Sequence, residues 1–449
     1  MNFLKKLINK HTLSLASNAV MPVIGMVTVS LLARNLSGAD FGNWTLFLIT
    51  FTLANFFRTG FLQTSVVKFY SGASKERALN IVGSTWYIGF FLTAFLGLIS
   101  LIVFVFCNAH GSMAIIIKWF AIIYFCTLPS SIASWVLQAE QRFDRLFILQ
   151  LISQGCFFVS VIILIIIHQA NFQAVIYAYG ICAMLTSAFS IVSGWANIKS
   201  IANKSWACIK EIANFGKFSV GTSISSYLLR GSDTFIIKFM FADPSVVGIY
   251  YLPQRLMEVI EIPLRSFIAT ALPSMSASMQ HNDKPNMTYI MKKYAGILTI
   301  LLIPVSVLSF FAADLVIDII GGAKFAHTAA ANVFRIFMCF AILLPVDRFF
   351  GITLDILNKP HLNLIKVFLM LVVNVAGDFI GIYFFHNIYG VAVASIFTFL
   401  AGVFYGYWIL KKHLEFTMAD IIKLGLTETR LILINLFNSL QSKTINQKA

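Results

Sequence analysis

Apolar runs of more than twenty residues recur along the whole chain, near 12–33, 41–66, 79–107, 113–137, 146–168, 173–196, 214–240, 248–275, 290–312, 331–357, 362–384 and 388–410. A bilayer core about 30 Å thick takes roughly 20 helical residues to cross, so each run is long enough to span. In lipid the backbone must satisfy its own hydrogen bonds, which leaves helices and closed barrels. The alternating ten-residue strands of a barrel are not seen. The sequence therefore predicts an all-α polytopic membrane protein with about twelve transmembrane helices. A chain that is 59% hydrophobic and 11% charged also carries more apolar surface than a water-exposed globule of 449 residues could hide.

An even number of spans puts both termini on one side, and the loops then test the orientation. With the termini cytoplasmic, 23 of the 33 Lys and Arg fall inside, five outside and five within spans. That is the positive-inside pattern of a bacterial inner-membrane protein. The formal net charge of +15 then resides on the cytoplasmic face. Its cations are dispersed over several loops, including Lys75, Arg142, Lys204, Lys292 and Lys411, and form no groove that would suit nucleic acid. The six cysteines include no C-x-x-C pair, so neither metal nor disulfide chemistry is expected. No Walker phosphate loop occurs, and no cofactor is expected beyond a coupling H⁺ or Na⁺ gradient.

The longest cytoplasmic connection, 197–213, divides the spans six and six. It predicts an N-terminal lobe over 1–200, a C-terminal lobe over 201–411 and a cytoplasmic tail over 412–449, in which Leu431 to Phe437 reads as an interfacial helix. A repeat links the lobes. Leu36-Ser-Gly-Ala-Asp40-Phe-Gly42-Asn-Trp44 joins spans one and two, with Arg58 sixteen residues beyond Gly42. Ala242-Asp-Pro-Ser-Val-Val-Gly248-Ile-Tyr250 joins spans seven and eight, with Arg265 seventeen beyond Gly248. Six spans per half make the repeat parallel, with a pseudo-two-fold axis along the membrane normal.

Ionisable groups inside a bilayer cost roughly 2.5–3.5 kcal/mol each on insertion scales and mark function by default. Eleven are read as lying in the bilayer core, away from the span ends: Arg58, Arg230, Asp233, Arg255, Glu258, Glu261, Arg265, Asp347, Arg348, Asp355 and Asp378. At 100° per residue Arg255, Glu258, Glu261 and Arg265 share a sector of about 120° on one helix, as on the wall of a wet cavity. Arg58, Arg230, Arg255, Arg265 and Arg348 are the candidates for an anionic cargo, because guanidinium stays charged and grips phosphate oxygens bidentately. Asp233, Glu258, Glu261 and Asp378 are the candidates for ion coupling. The bland alternative is mutual pairing: Arg230 with Asp233, Arg255 with Glu258, Arg265 with Glu261, and Arg348 with Asp347 or Asp355.

The strings Leu31-Leu-Ala-Arg34-Asn-Leu-Ser37-Gly-Ala-Asp40-Phe-Gly42-Asn-Trp44, Asp233-Thr-Phe-Ile-Ile and Val247-Gly-Ile-Tyr250-Tyr-Leu-Pro-Gln-Arg255-Leu-Met-Glu258 carry a family resemblance. The chain resembles the O-antigen type polysaccharide flippases of the multidrug, oligosaccharidyl-lipid and polysaccharide exporter superfamily. The resemblance implies a twelve-helix, two-lobe transporter. Such a protein is not an enzyme, and it moves an undecaprenyl-pyrophosphate-linked oligosaccharide repeat unit to the periplasmic leaflet by alternating access, for surface polysaccharide and lipopolysaccharide assembly. Its partners would be that substrate, membrane lipids and other polysaccharide assembly proteins, with the chain itself a monomer. A multidrug or cation antiporter of the same fold, using Glu258, Glu261 or Asp378 to exchange H⁺ or Na⁺, is the competing expectation.

Overall fold

The computed structural model describes residues 10–70, 73–106, 112–140 and 142–446; some side chains within these ranges, Arg230 among them, lie outside the described set. Among the described residues all regular structure is helical. Each predicted run falls on one helix or on a pair meeting at a break. By length and composition seven of the helices can cross a membrane, and nine if each of two bent pairs counts as one span. The other three predicted spans coincide with α1 (Lys10–Asn35), α8 (Trp206–Met240) and α9 (Ser245–Gln280). Helices α8 and α9 are 35 and 36 residues long, and their ionisable groups dilute an otherwise apolar composition.

Compactness divides the chain into one unit of residues 1–251 with 320–325, and a second of 252–319 with 326–449. In the first unit α1 is followed by α2 (Gly38–Tyr70), α3 (Lys75–Phe106), α4 (Ser112–Cys126), α5 (Leu128–Ala139), α6 (Phe143–Ile166) and α7 (Phe172–Val192). A 3-10 turn (Ile198–Asn203) then leads into α8. Helix α8 belongs to this unit because it lies along α2: Gly216 sits against Phe61, and the Tyr227 hydroxyl donates to the Ile49 carbonyl at 2.8 Å. The core here is aromatic. Trp44, Phe47 and Phe51 of α2 stack or meet edge-on with Tyr124, Phe157 and Tyr179, geometries that add to simple area burial.

The second unit comprises the rest of α9, α10 (Lys284–Phe311), most of α11 (Ala313–Gly321), and α13 (Ala330–Ala341), α14 (Leu344–Ile356), α15 (Pro360–Phe385), α16 (Tyr389–Lys411) and α17 (Met418–Asn446). The short helix α12 (Ala323–Ala326) straddles the division. Helices α15 and α16 touch backbone to backbone at Gly381 and Gly390, where a Cβ on either would collide with the other's carbonyl. Small residues of this kind let helices approach in lipid, where no hydrophobic drive joins them.

Two spans are broken. Helices α4 and α5 meet at 43° around Thr127, and α13 and α14 at 50°. Pro129 and Pro345 stand in the first turn of the second helix of each pair. There a missing N–H costs little, whereas within a continuous helix it removes a bond and kinks the chain.

The tail forms a longer helix than the interfacial segment expected around Leu431 to Phe437, most of whose side chains lie outside the described set. The first half of α17 docks on α10 at a second glycine crossing, Gly425 on Gly296. The Glu428 carboxylate pairs with Lys293 Nζ at 2.7 Å and accepts from the Tyr289 hydroxyl at 2.6 Å. These two partners hold the Glu428 carboxyl below its ordinary range. Replacing Gly425 by leucine should undock α17, and tryptic cleavage after Arg430 of the purified protein should become several-fold faster while the rest of the chain stays resistant.

Candidate functional site

In the second unit, α9 presents Arg255, Glu258, Glu261 and Arg265 along one side, spaced so that each cation has a carboxylate one turn away. Arg255 bonds Glu258 at 2.5 Å and Arg265 bonds Glu261 at 3.2 Å, two of the pairs expected from spacing alone. Arg348 of α14 approaches the other oxygen of Glu261 at 3.7 Å. One carboxylate is thus flanked by two guanidinium groups. The Glu261 side chain is 13% exposed, whereas those of Arg265 and Arg348 are 55% and 36% exposed. The cluster of Arg255, Glu258, Glu261, Arg265 and Arg348 carries one net positive charge. A guanidinium offers five N–H donors, so one shared carboxylate leaves Arg265 and Arg348 with donors to spare. This set can hold a second oxyanion beside Glu261.

Arg348 lies in the first turns of α14, just beyond the break. After Pro345 the new helix turns 100° per residue, which sends Asp347 and Arg348 to different neighbours. Asp347 is 4% exposed and pairs with Lys366 of α15: Nζ lies 2.7 Å from the carboxylate and 2.8 Å from the Asp347 carbonyl oxygen. The expected pairing of Arg348 with Asp347 or Asp355 is therefore corrected. Asp355 instead accepts from the Asn363 amide at 3.0 and 3.1 Å. Lys366, 2% exposed, is a buried cation absent from the eleven groups singled out in the sequence. Its signal was its position, one turn inside the predicted span 362–384.

The remaining candidates lie elsewhere. Asp378 is fully buried on α15, with the Asn374 amide 3.2 Å away, and Thr398 of α16 donates to Asn374 at 3.0 Å. In the first unit Asp233 accepts from the Tyr250 hydroxyl at 2.5 Å. The side chain of Arg230 is outside the described residues, so its expected pairing with Asp233 is too.

Arg58 is fully buried, and its hydrogen-bond partners are all neutral. One Nη donates to the Tyr124 carbonyl at 3.0 Å and Thr93 at 3.4 Å; the other donates to Asn55 at 2.9 Å, Thr127 at 2.9 Å and Ser131 at 3.0 Å. The guanidinium also lies 4.3 Å from the centre of the Tyr124 ring, a cation–π arrangement. Tyr124, Thr127 and Ser131 flank the break between α4 and α5, so Arg58 stitches the two halves of that span to α2.

The two repeat strings meet each other in the first unit. A Cβ on Gly42 would overlap the Pro244 carbonyl, one on Gly248 would press on the Phe41 ring, and one on Gly38 would lie 3.2 Å from Ser245 Cβ. Asp243 caps α9, accepting from Ser245 N at 2.8 Å and Oγ at 2.5 Å, which holds its carboxyl below the usual range. Lys324 closes the same corner by donating to two carbonyls at the end of α1 and just past it, Arg34 at 2.8 Å and Leu36 at 2.6 Å.

The chain matches the model of a family described as polysaccharide biosynthesis protein over residues 31–330. A curated relative, the probable low-salt glycan biosynthesis flippase Agl15 of Haloferax volcanii, is 26% identical over 200 residues, 44% of this chain. The chain spans only 42% of that relative's length. Among solved structures, a lipid II flippase MurJ in an inward closed conformation superposes with a TM-score of 0.71 at 16% identity, over 94% of this chain and 92% of that one. An inward-facing multidrug resistance MATE family transporter gives 0.68 at 16% identity, over 91% and 97%. These likenesses carry the fold alone, that of a helical multi-pass membrane protein.

Proposed function

The chain belongs to the polysaccharide biosynthesis protein family, and from that membership we propose that it is a flippase for lipid-linked glycan precursors, its cargo an undecaprenyl-pyrophosphate-linked oligosaccharide repeat unit. In this reading the protein sits in the bacterial inner membrane with both termini cytoplasmic. Its two six-helix lobes, 1–200 and 201–411, alternate in access, and the cargo reaches the periplasmic leaflet for O-antigen and related surface polysaccharide. Transport requires no covalent chemistry from the chain, which acts as a monomer beside the other proteins of the assembly.

The observation that carries the proposal is Glu261 flanked by Arg265 and Arg348. A pyrophosphate is the anionic group that such paired donors suit, since each guanidinium can grip two oxygens. Glu261 then serves as the internal anion that the cargo displaces. Arg255 with Glu258 extends the same wall, and Arg230 is assigned to the cargo path from its spacing. Arg58 supports this reading through the broken span and not by direct contact. Asp233, Glu258, Glu261 and Asp378 are assigned to coupling with H⁺ or Na⁺. The buried Asp378–Asn374–Thr398 group is the specific feature that favours the alternative, a multidrug or cation antiporter.

Deleting the gene and analysing surface polysaccharide together with lipid-linked intermediates tests the assignment. Loss of surface glycan with single repeat units trapped on undecaprenyl pyrophosphate in the cytoplasmic leaflet is expected. Unchanged glycan with new sensitivity to cationic drugs would instead select the antiporter. Arg265→Ala and Arg348→Ala should each lower glycan export about tenfold, the scale of one lost charge-assisted contact, without lowering the amount of protein in the membrane. Glu261→Gln should chiefly change the dependence of export on the ion gradient. Normal export in all three variants would remove the arginine pair from the path.

A further inference from the structure

A groove of about 560 Å³ opens on the first unit, and none of the ionisable groups assigned above lines it. Tyr87 and Phe90 of α3, Phe125 and Pro129 at the α4–α5 break, Met184 of α7 and Ile201 of the 3-10 turn line it. Of these, Tyr87, Phe90, Phe125, Met184 and Ile201 are between 43% and 53% exposed. The volume falls in the range of ligand pockets, about 300–1,000 Å³. On α7 the lining runs from Met184 to Ile191, which at 1.5 Å per residue is about 10 Å of helix. That covers most of the roughly 15 Å of hydrocarbon in one leaflet.

The mouth is basic and rigid. Lys204 Nζ sits 4.8 Å from the centre of the Tyr87 ring, and Lys199 stands two residues from Ile201. The stretch 197–205 contains no acidic residue. Its backbone is fastened to α3: Trp86 Nε1 donates to the Ala196 carbonyl at 2.9 Å, and Ser84 Oγ exchanges bonds with Ser205 at 3.1 and 3.2 Å. Gly83 lets the Ser200 carbonyl come against α3 where a Cβ would not fit. The floor bears on the broken span. Ser187 donates to the Cys126 carbonyl at 2.5 Å and receives the Ser130 N–H at 3.3 Å, so one α7 side chain bridges both halves of the break.

We propose that this groove is a binding site for an anionic phospholipid of the cytoplasmic leaflet, one acyl chain lying between α3, α7 and the α4–α5 break and the phosphate meeting Lys204 and Lys199. The placing in that leaflet rests on the orientation proposed above; the site itself does not depend on the cargo. An apolar trough ending at exposed lysines on a fastened backbone is complementary to a phosphate-headed lipid and less so to a zwitterionic one. A chain seated there packs against Phe125 and Pro129, so the lipid stabilises the bent form of the span that Arg58 holds from its other side.

Native mass spectrometry of the full chain, delipidated and then offered equal amounts of phosphatidylglycerol and phosphatidylcholine, tests this. Phosphatidylglycerol should be retained about fivefold better, the scale of one lysine at an anionic headgroup. Lys204→Glu should abolish that preference, and Ala188→Trp, which fills the groove from its exposed wall, should remove retention of the tightly held molecule. Equal retention of both lipids by the unaltered chain, or undiminished retention by Ala188→Trp, would overturn the site. Preferential capture of undecaprenyl phosphate over phosphatidylglycerol, lost in Ala188→Trp, would overturn it in favour of a tail path for the cargo. The readout is binding, so failure of the flippase assignment would leave it standing.

Discussion

Cysteines placed together at Gly38 and Ser245 should form a disulfide that stops glycan export, and reductant should restore it. Gly38 precedes the first repeat glycine and Ser245 opens α9, and an ideal Cβ at Gly38 falls 3.2 Å from that of Ser245. Disulfide-bonded Cβ atoms lie about 3.5–4.5 Å apart, so a few tenths of an ångström of relaxation completes the bond. Around them Gly42 abuts Pro244 and Gly248 abuts Phe41, so this corner closes only because neither glycine has a side chain. If transport requires the corner to part, oxidation of the double variant reduces export to background in proportion to the fraction cross-linked. The single variants should transport normally. The pair is scored by the mobility of the oxidised protein on a gel beside the quantity of surface glycan. Full cross-linking with undiminished export would mean that the corner stays closed throughout the cycle.

Lys366→Ala should be the most destabilising single change in the second unit. It leaves the Asp347 carboxylate, 4% exposed, without its ammonium partner, and removing one member of a buried pair costs about 3–5 kcal/mol. The double variant Asp347→Leu with Lys366→Met should recover most of that loss, because a well-packed apolar pair often matches a buried ion pair in stability. The thermal midpoint of the detergent-purified protein, compared across the two single variants and the double, measures the coupling. If the single and double variants melt alike, the pair is not the source of the effect. Gly402→Ala should weaken the same place, since a Cβ there would lie 2.7 Å from the Asp347 carboxylate.

The helices were legible because lipid admits little else: every predicted run coincides with a helix or a bent pair. The breaks were less so. Pro129 and Pro345 sit within apolar runs that hydropathy reads as continuous, and only helix geometry converts a missing N–H into a bend. Intrahelical pairs such as Arg255 with Glu258 follow from spacing, whereas Arg348 with Glu261 and Asp347 with Lys366 join separate helices and depend on how the chain folds back. Arg58 shows the same limit. As a buried cation it reads as a wall of the cargo cavity, yet its partners are hydroxyl, amide and carbonyl oxygens, each individually unremarkable in the sequence.

The stitching of Arg58 has an electrical consequence. Moving one elementary charge through 100 mV of membrane potential involves about 2.3 kcal/mol. Arg58 is bonded to α2, α3, α4 and α5 at once, so its charge keeps a fixed depth within that group of helices. The potential does no work on a charge that does not change depth. As long as that group of helices keeps its own depth, any voltage dependence must come from charges that do move, with the exposed Arg265 and Arg348 among the candidates.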